Sequence, residues 1–252
     1  MVYPHPGKDE GANSAGFRSS RLGAGQSRQA VADKYSSVLA IKQRFADGRD
    51  YRIRYTDRSS WATIISPHGG YIEPGTSAVA RAIAGSTYNF FDFQALRRES
   101  AQEFHVTATK FRDPALSKLL ETSMVALSVH CMGRHGSPVI WLGGLNRRLK
   151  ELTLAALKEG GFAVDPDAPR YKGESPQNIV NLPARQGVQL ELSAELLSSL
   201  FAGKSCFYPS GRCPRTSSRF TELVSAVRSA LHQYEPTALQ PPGAVHVPGK
   251  GN

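Results

Sequence analysis

Residues 61–85 read WATIISPHGGYIEPGTSAVARAIAG. The opening WATIIS is a short, β-branched, apolar run that Pro67 and a glycine pair bring to an end, which predicts a buried strand. Residues 76–84, TSAVARAIA, repeat small and apolar side chains at helical spacing, with Ser/Thr at the start and Gly85 just beyond the end. A strand, a loop and a helix in direct succession are one half of a layered α/β unit.

The same alternation continues in both directions. YNFFDF (88–93) and FHVTAT (104–109) read as strands, DPALSKLLE as a helix opened by Asp113 and Pro114, and MVALSVH (124–130) as a further strand. PVIWLGG continues as a strand, residues 145–158 as an amphipathic helix closed by Gly160 and Gly161, and GVQLELS (187–193) as a strand leading into a helix capped by Ser193. A last helix covers about residues 218–233. This spacing predicts an α/β domain with a largely parallel sheet flanked by helices. In such sheets ligands sit beyond the carboxyl ends of the strands.

The 252 residues suffice for one generous domain, expected over residues 31–235. Residues 1–30 are rich in Gly, Ser, Arg and Gln without apolar period, and residues 236–252 read similarly, so both are expected to be disordered tails. No window offers the roughly 18 apolar residues of a membrane span, and the N-terminus lacks a secretory core, so a soluble cytoplasmic protein, released by lysis if it acts outside, is expected. Three cysteines are no disulfide framework, although Cys206 and Cys213 flank a turn-like FYPSGR and pairing between them stays open. The net charge of +10 points to an anionic partner. Residues 61–210 are nearly balanced, with 15 Lys/Arg against 13 Asp/Glu, so the excess is terminal. No basic stripe interleaved with aromatics marks a nucleic-acid groove.

The chemistry concentrates at strand ends. His68 follows the first strand, and Glu73 stands five residues later, before Pro74 and outside any helix. Gly69 and Gly70 allow the backbone to reverse between them. His130 ends the strand MVALSV, and two histidines with one carboxylate are a common catalytic zinc set. Cys131 and His135 are rival ligands: strand alternation turns Cys131 away from His130 as a buried thiol, and His135 in GRHG reads as an exposed loop residue. Glu191 is either an edge-strand glutamate facing solvent or a general base beside a metal. Arg185, with Asn181, is either a surface residue or a fork for a substrate carboxylate.

PHGGYIEPGTSAVARAIAG, ALSVHCMG, VIWLGGLN, NIVNLPARQGVQLELS and the earlier DKYSSVLAIKQRF together resemble the poly-γ-glutamate hydrolase family. The resemblance runs in the same order over residues 33–200. It implies a zinc-dependent amidohydrolase with a carboxypeptidase-like core, cutting the γ-amide linkages of an anionic polymer, poly-γ-glutamate; a monomer is expected. Its ligands fall on His68, Glu73 and His130, and its general base on Glu191. One departure stands out: TATKF puts Lys110 where relatives carry a histidine, a fixed charge that would bear on substrate binding. The competing readings are a zinc amidase acting on N-acyl amino acids or peptidoglycan amides, and a non-catalytic nucleic-acid-associated protein, as some members are labelled.

Overall fold

A computed structural model describes residues 32–202 and 215–238, which belong to one compact unit. Residues 1–31 and 239–252 and the Cys206/Cys213 pair lie outside the described residues, whereas residues 236–238, expected in the C-terminal tail, continue the last helix. The strands are β1 (Tyr51–Thr56), β2 (Ala62–Gly70), β3 (Asn89–Ala95), β4 (Val125–Gly133), β5 (Ile140–Gly143), β6 (Val164–Asp165) and β7 (Gly187–Ser193). The helices are α1 (Val38–Lys42), α2 (Thr76–Ala84), α3 (Pro114–Thr122), α4 (Arg147–Glu159), α5 (Ala194–Ser199) and α6 (Ser218–Ala238). None of the described helices is long and apolar enough to cross a membrane.

All seven strands form one sheet in the order β1-β3-β2-β4-β7-β5-β6. Pairing is antiparallel between β1 and β3 and between β5 and β7, and parallel elsewhere. The central β2, β3 and β7 are buried at every position, as are the first six residues of β4. Helices cover both faces of such strands, so their sequences run apolar without strict alternation.

One face packs Ile64, Phe90, Leu127 and Leu190 against Val79 and Ile83 of α2, Leu149 and Leu157 of α4, and Leu223, Val227 and Leu231 of α6. The other face packs Ile65, Phe91, Phe93 and Ala126 against Ile41 of α1, Leu116 and Leu119 of α3, and Phe104, Val106 and Phe111. Each buried side chain of this size contributes about 1.5–3 kcal/mol. Side chains from the preceding turns open the helices. Asp113 accepts from Ala115 N–H and Leu116 N–H, Asn146 from Leu149 N–H, and Ser193 from Leu196 N–H.

Residues 104–109 form no strand. A 3-10 turn occupies Ala101–Phe104, and the segment beyond it folds onto one buried carboxylate. Asp33 Oδ1 accepts from His105 Nδ1, Thr107 N–H and Thr107 Oγ1, each at 3.0 Å, and Lys110 N–H closes a turn on the Thr107 carbonyl. A side chain 74 residues away thus takes the backbone donor that a neighbouring strand would have used. The antiparallel edge strand β1 and the short helix α1 have no counterpart among the elements expected from the sequence.

Candidate metal centre

The centre is built where β2 leaves the sheet. The parallel register between β2 and β3 shifts between Ser66 and Gly69, so the chain bulges directly around His68. Gly69 packs where any Cβ would collide with Ser77 Oγ and Asp92 Oδ1. Gly70 has φ +65°, and a Cβ there would strike the Ala95 carbonyl. Only glycine satisfies both conditions at residue 70. The reversal closes through Glu73 N–H donating to the His68 carbonyl at 2.9 Å, with Thr76 Oγ1 donating to the Glu73 carbonyl.

A buried network braces this turn from below. Ser77 Oγ donates to Asp92 Oδ1 at 2.8 Å and accepts from Gly70 N–H, while Gln94 Nε2 donates to Asp92 Oδ2 at 2.6 Å. Burial pushes the Asp92 carboxyl up to about 6, only partly offset by these donors.

The turn brings His68, Glu73 and His130 together, with one ligand atom from each lying within 4.8 Å of the others. His68 Nδ1 stands 2.8 Å from Glu73 Oε1 and 3.2 Å from His130 Nδ1, and His130 Nδ1 is 3.7 Å from Glu73 Oε2. His68 Nε2 lies 2.9 Å from the Val106 carbonyl, which can only accept, so this nitrogen carries a proton. In the neutral ring, His68 Nδ1 is then a lone pair aimed at a carboxylate and at a second imidazole. A lone pair, a carboxylate and a second imidazole converge on one point, which a proton on His130 Nδ1 or a metal ion would satisfy. Two imidazoles and a carboxylate are a donor set that fits a metal well.

Second contacts fix the donors. Cys131 N–H donates to Glu73 Oε2 at 2.9 Å, and the Val106 carbonyl sets the tautomer of His68. Burial alone would raise the Glu73 carboxyl, but the two histidines outweigh it and hold the group well below the usual carboxylate range. The Cys131 thiol is half-buried and packs against the hydrophobic core, and burial together with the Glu73 charge pushes it up to about 12. At neutral pH it is a protonated thiol, a poor ligand. His135 is exposed and hydrogen-bonds Ser137.

Glu191 does not sit on an edge strand. β7 lies between β4 and β5, with Glu191 opposite His130 on one side and Trp141 on the other. The residue is 5 % exposed, and Gln189 Nε2 donates to its Oε1 at 2.9 Å. Burial first, and then the Glu73 charge, raise its carboxyl well above the ordinary value. Two neighbouring carboxylates are therefore driven in opposite directions, one held ionised and the other inclined to keep a proton, the arrangement that separates acid–base roles.

The two remaining expectations from this strand are corrected. Arg185 precedes β7, and its N–H donates to the Met124 carbonyl ahead of β4, at the amino end of the strands. Six residues at about 3.3 Å each separate it from Glu191, so its backbone is roughly 20 Å from the centre along the strand. Asn181 is 6 % exposed, with its side chain committed to Leu145 N–H and to the Gly173 and Ser175 carbonyls. It braces the loop that reaches Gln189. Lys110 is exposed, with Nζ 3.5 Å from Asp33 Oδ2, on the rim where Asp33 also holds His105.

His105 escaped the sequence reading. Its ring lies 4.1 Å from that of His68, and burial, with the His68 charge, pushes it down to about 4. At neutral pH it is an uncharged imidazole donating Nδ1–H to Asp33.

Polar groups gathered at the carboxyl ends of a mostly parallel sheet, with one carboxylate ionised and another inclined to keep a proton, suit hydrolytic chemistry, and the family match makes the chain a hydrolase of amide bonds. The chain belongs to the poly-gamma-glutamate hydrolase family, whose model matches residues 35–226. It is 29 % identical over 206 residues to the SPbeta prophage-derived UPF0714 protein YoqZ of Bacillus subtilis, covering 81 % of this chain and 73 % of that one. It superposes on a bacteriophage poly-gamma-glutamate hydrolase with a TM-score of 0.76 and 26 % identity, covering 82 % of this chain and all of the phage protein. A zinc-free structure of YndL gives a TM-score of 0.72 and 27 % identity, covering 80 % of this chain and 98 % of YndL.

Proposed function

We propose that the protein is a zinc-dependent hydrolase that opens γ-glutamyl amide bonds of a poly-γ-glutamate chain. The observation that carries this reading is the facing pair His130 and Glu191, which sets a buried carboxylate of raised proton affinity one strand from three converging side chains. Family membership and the two superposed structures, one a poly-gamma-glutamate hydrolase and one named for its lack of zinc, support substrate and metal.

His68 Nδ1, Glu73 and His130 Nδ1 would hold the ion. Bound zinc would polarise the amide carbonyl and acidify a nearby water. Glu191 serves as general base, taking the proton of the attacking water and returning it to the leaving nitrogen. Its raised affinity for a proton suits both halves of that exchange, and Gln189 holds it in place. Glu73 stays ionised and binds. Lys110 gives the rim a fixed positive charge for a substrate carboxylate, where a histidine would titrate.

The test is digestion of long poly-γ-glutamate, following new amino groups and chain length. Cleavage that a chelator stops and zinc restores is expected. An intact polymer alongside turnover of short N-acyl amino acids would replace this substrate with that of a small-molecule amidase.

A further inference from the structure

A second cationic site lies away from the metal centre. A cavity of about 400 Å³ opens beside the edge strand β1 and the end of α2, and Arg54, Arg58 and Arg81 all line it, together with Tyr55 and Phe90. No carboxylate is among its lining residues. The three guanidiniums are held in place by other means. Arg58 Nη1 donates to the Tyr88 carbonyl at 2.7 Å, and Arg81 lies over the Phe90 ring at 5.5 Å. Arg54 stands opposite Asp92 in the β1–β3 ladder, but that carboxyl is engaged by Ser77 and Gln94. Among the described residues none of the three arginines makes an ion pair.

Like charges gathered with one buried carboxylate, Asp92, as their only partial offset repel. The cost is visible at Arg54, where burial, followed by the charges of Arg81 and Arg52, lowers the guanidinium's hold on its proton. Such a cluster is satisfied by an external anion, and planar guanidiniums match the two oxygens of a carboxylate with paired hydrogen bonds.

We propose that this cavity is a secondary binding site for carboxylates of the polymer substrate, which anchors a long chain outside the catalytic centre. The assignment of the ligand rests on the poly-γ-glutamate reading. The cavity lies two strands out from β2, and Phe90 pairs with Ile64, four residues before His68. At about 4.8 Å per strand and 3.3 Å per residue, it is on the order of 15 Å from the metal ligands. A long polyanion reaches both places, whereas a γ-linked dipeptide does not. Anchoring of this kind raises effective concentration at the centre without altering the chemistry there.

The experiment compares wild type with Arg54→Gln/Arg81→Gln, titrating fluorescently labelled long poly-γ-glutamate by anisotropy at low salt. A second readout is kcat and KM on a short γ-glutamyl oligomer. The proposal expects polymer Kd to rise fivefold or more with a shallower salt dependence, oligomer kinetics to stay unchanged, and Arg54→Lys/Arg81→Lys to recover most of the affinity. The melting temperature of the Gln variant should not fall, because repulsion is relieved. Unchanged polymer affinity would overturn the site. Displacement of polymer from wild type by micromolar inorganic phosphate would assign the cavity to free phosphate and overturn the polymer assignment. Binding needs no cleavage, so a polymer that binds in an arginine-dependent way but is never cut would remove the hydrolase reading and leave the anion site standing.

Discussion

Glu191→Gln is expected to lower kcat on poly-γ-glutamate by about 10²–10⁴-fold, the usual contribution of a general base, and to leave metal uptake unchanged. The substitution preserves shape, and Gln189 Nε2 can still donate to the amide oxygen at residue 191. The lost property is the ability to take a proton. The variant is not expected to be less stable. The carboxyl's folded affinity for protons is raised by burial and by Glu73, so the stability it contributes is present in acid and fades as pH rises from its ordinary value through the raised one. The neutral amide escapes that loss near pH 7. Kinetics, metal content and a melting curve on one preparation read all three. Activity above a tenth of wild type would remove Glu191 from the base role.

Gly70→Ala is expected to cost roughly 3 kcal/mol or more and to empty the metal centre, since strain at positive φ and a backbone collision act together. The methyl group would meet the Ala95 carbonyl, which belongs to a central buried strand and cannot move aside. Relief would come from opening the bulge, which carries His68 away from Glu73. Gly48→Ala is the control, because Gly48 has φ +80° but nothing within 4 Å of an added Cβ. It should lose only about 1 kcal/mol and keep its metal. Chemical denaturation midpoints with parallel metal analysis separate the two. Equal, small losses at both positions would mean that the glycine pair does not shape the site.

The convergence of His68 and Glu73 was legible because the reversal is local: strand, glycine pair and pre-proline carboxylate lie within one short stretch. His130 was legible as the end of a second apolar strand in a sheet expected to be parallel. Glu191 was ambiguous because sequence alone does not tell a central strand from an edge one. β7 is central only because β5 returns antiparallel beside it. Arg185 stands at the end opposite the site because it precedes a strand that runs parallel to its neighbour, which favours the surface reading over the carboxylate fork. The interactions that stayed hidden are long-range. Asp33 shapes residues 105–110 from 72 residues away, and Asp92 supports the Gly70 turn from the neighbouring strand. Neither pair leaves a periodic trace.

The proposed metal centre needs one ion held by His68, Glu73 and His130, and elemental analysis of carefully purified wild type and His68→Ala tests that most directly. One zinc per wild-type chain and its loss from His68→Ala is the predicted result. Zinc retained by His68→Ala at the wild-type level, or wild type that takes up none when zinc is supplied, would contradict the metal centre described here.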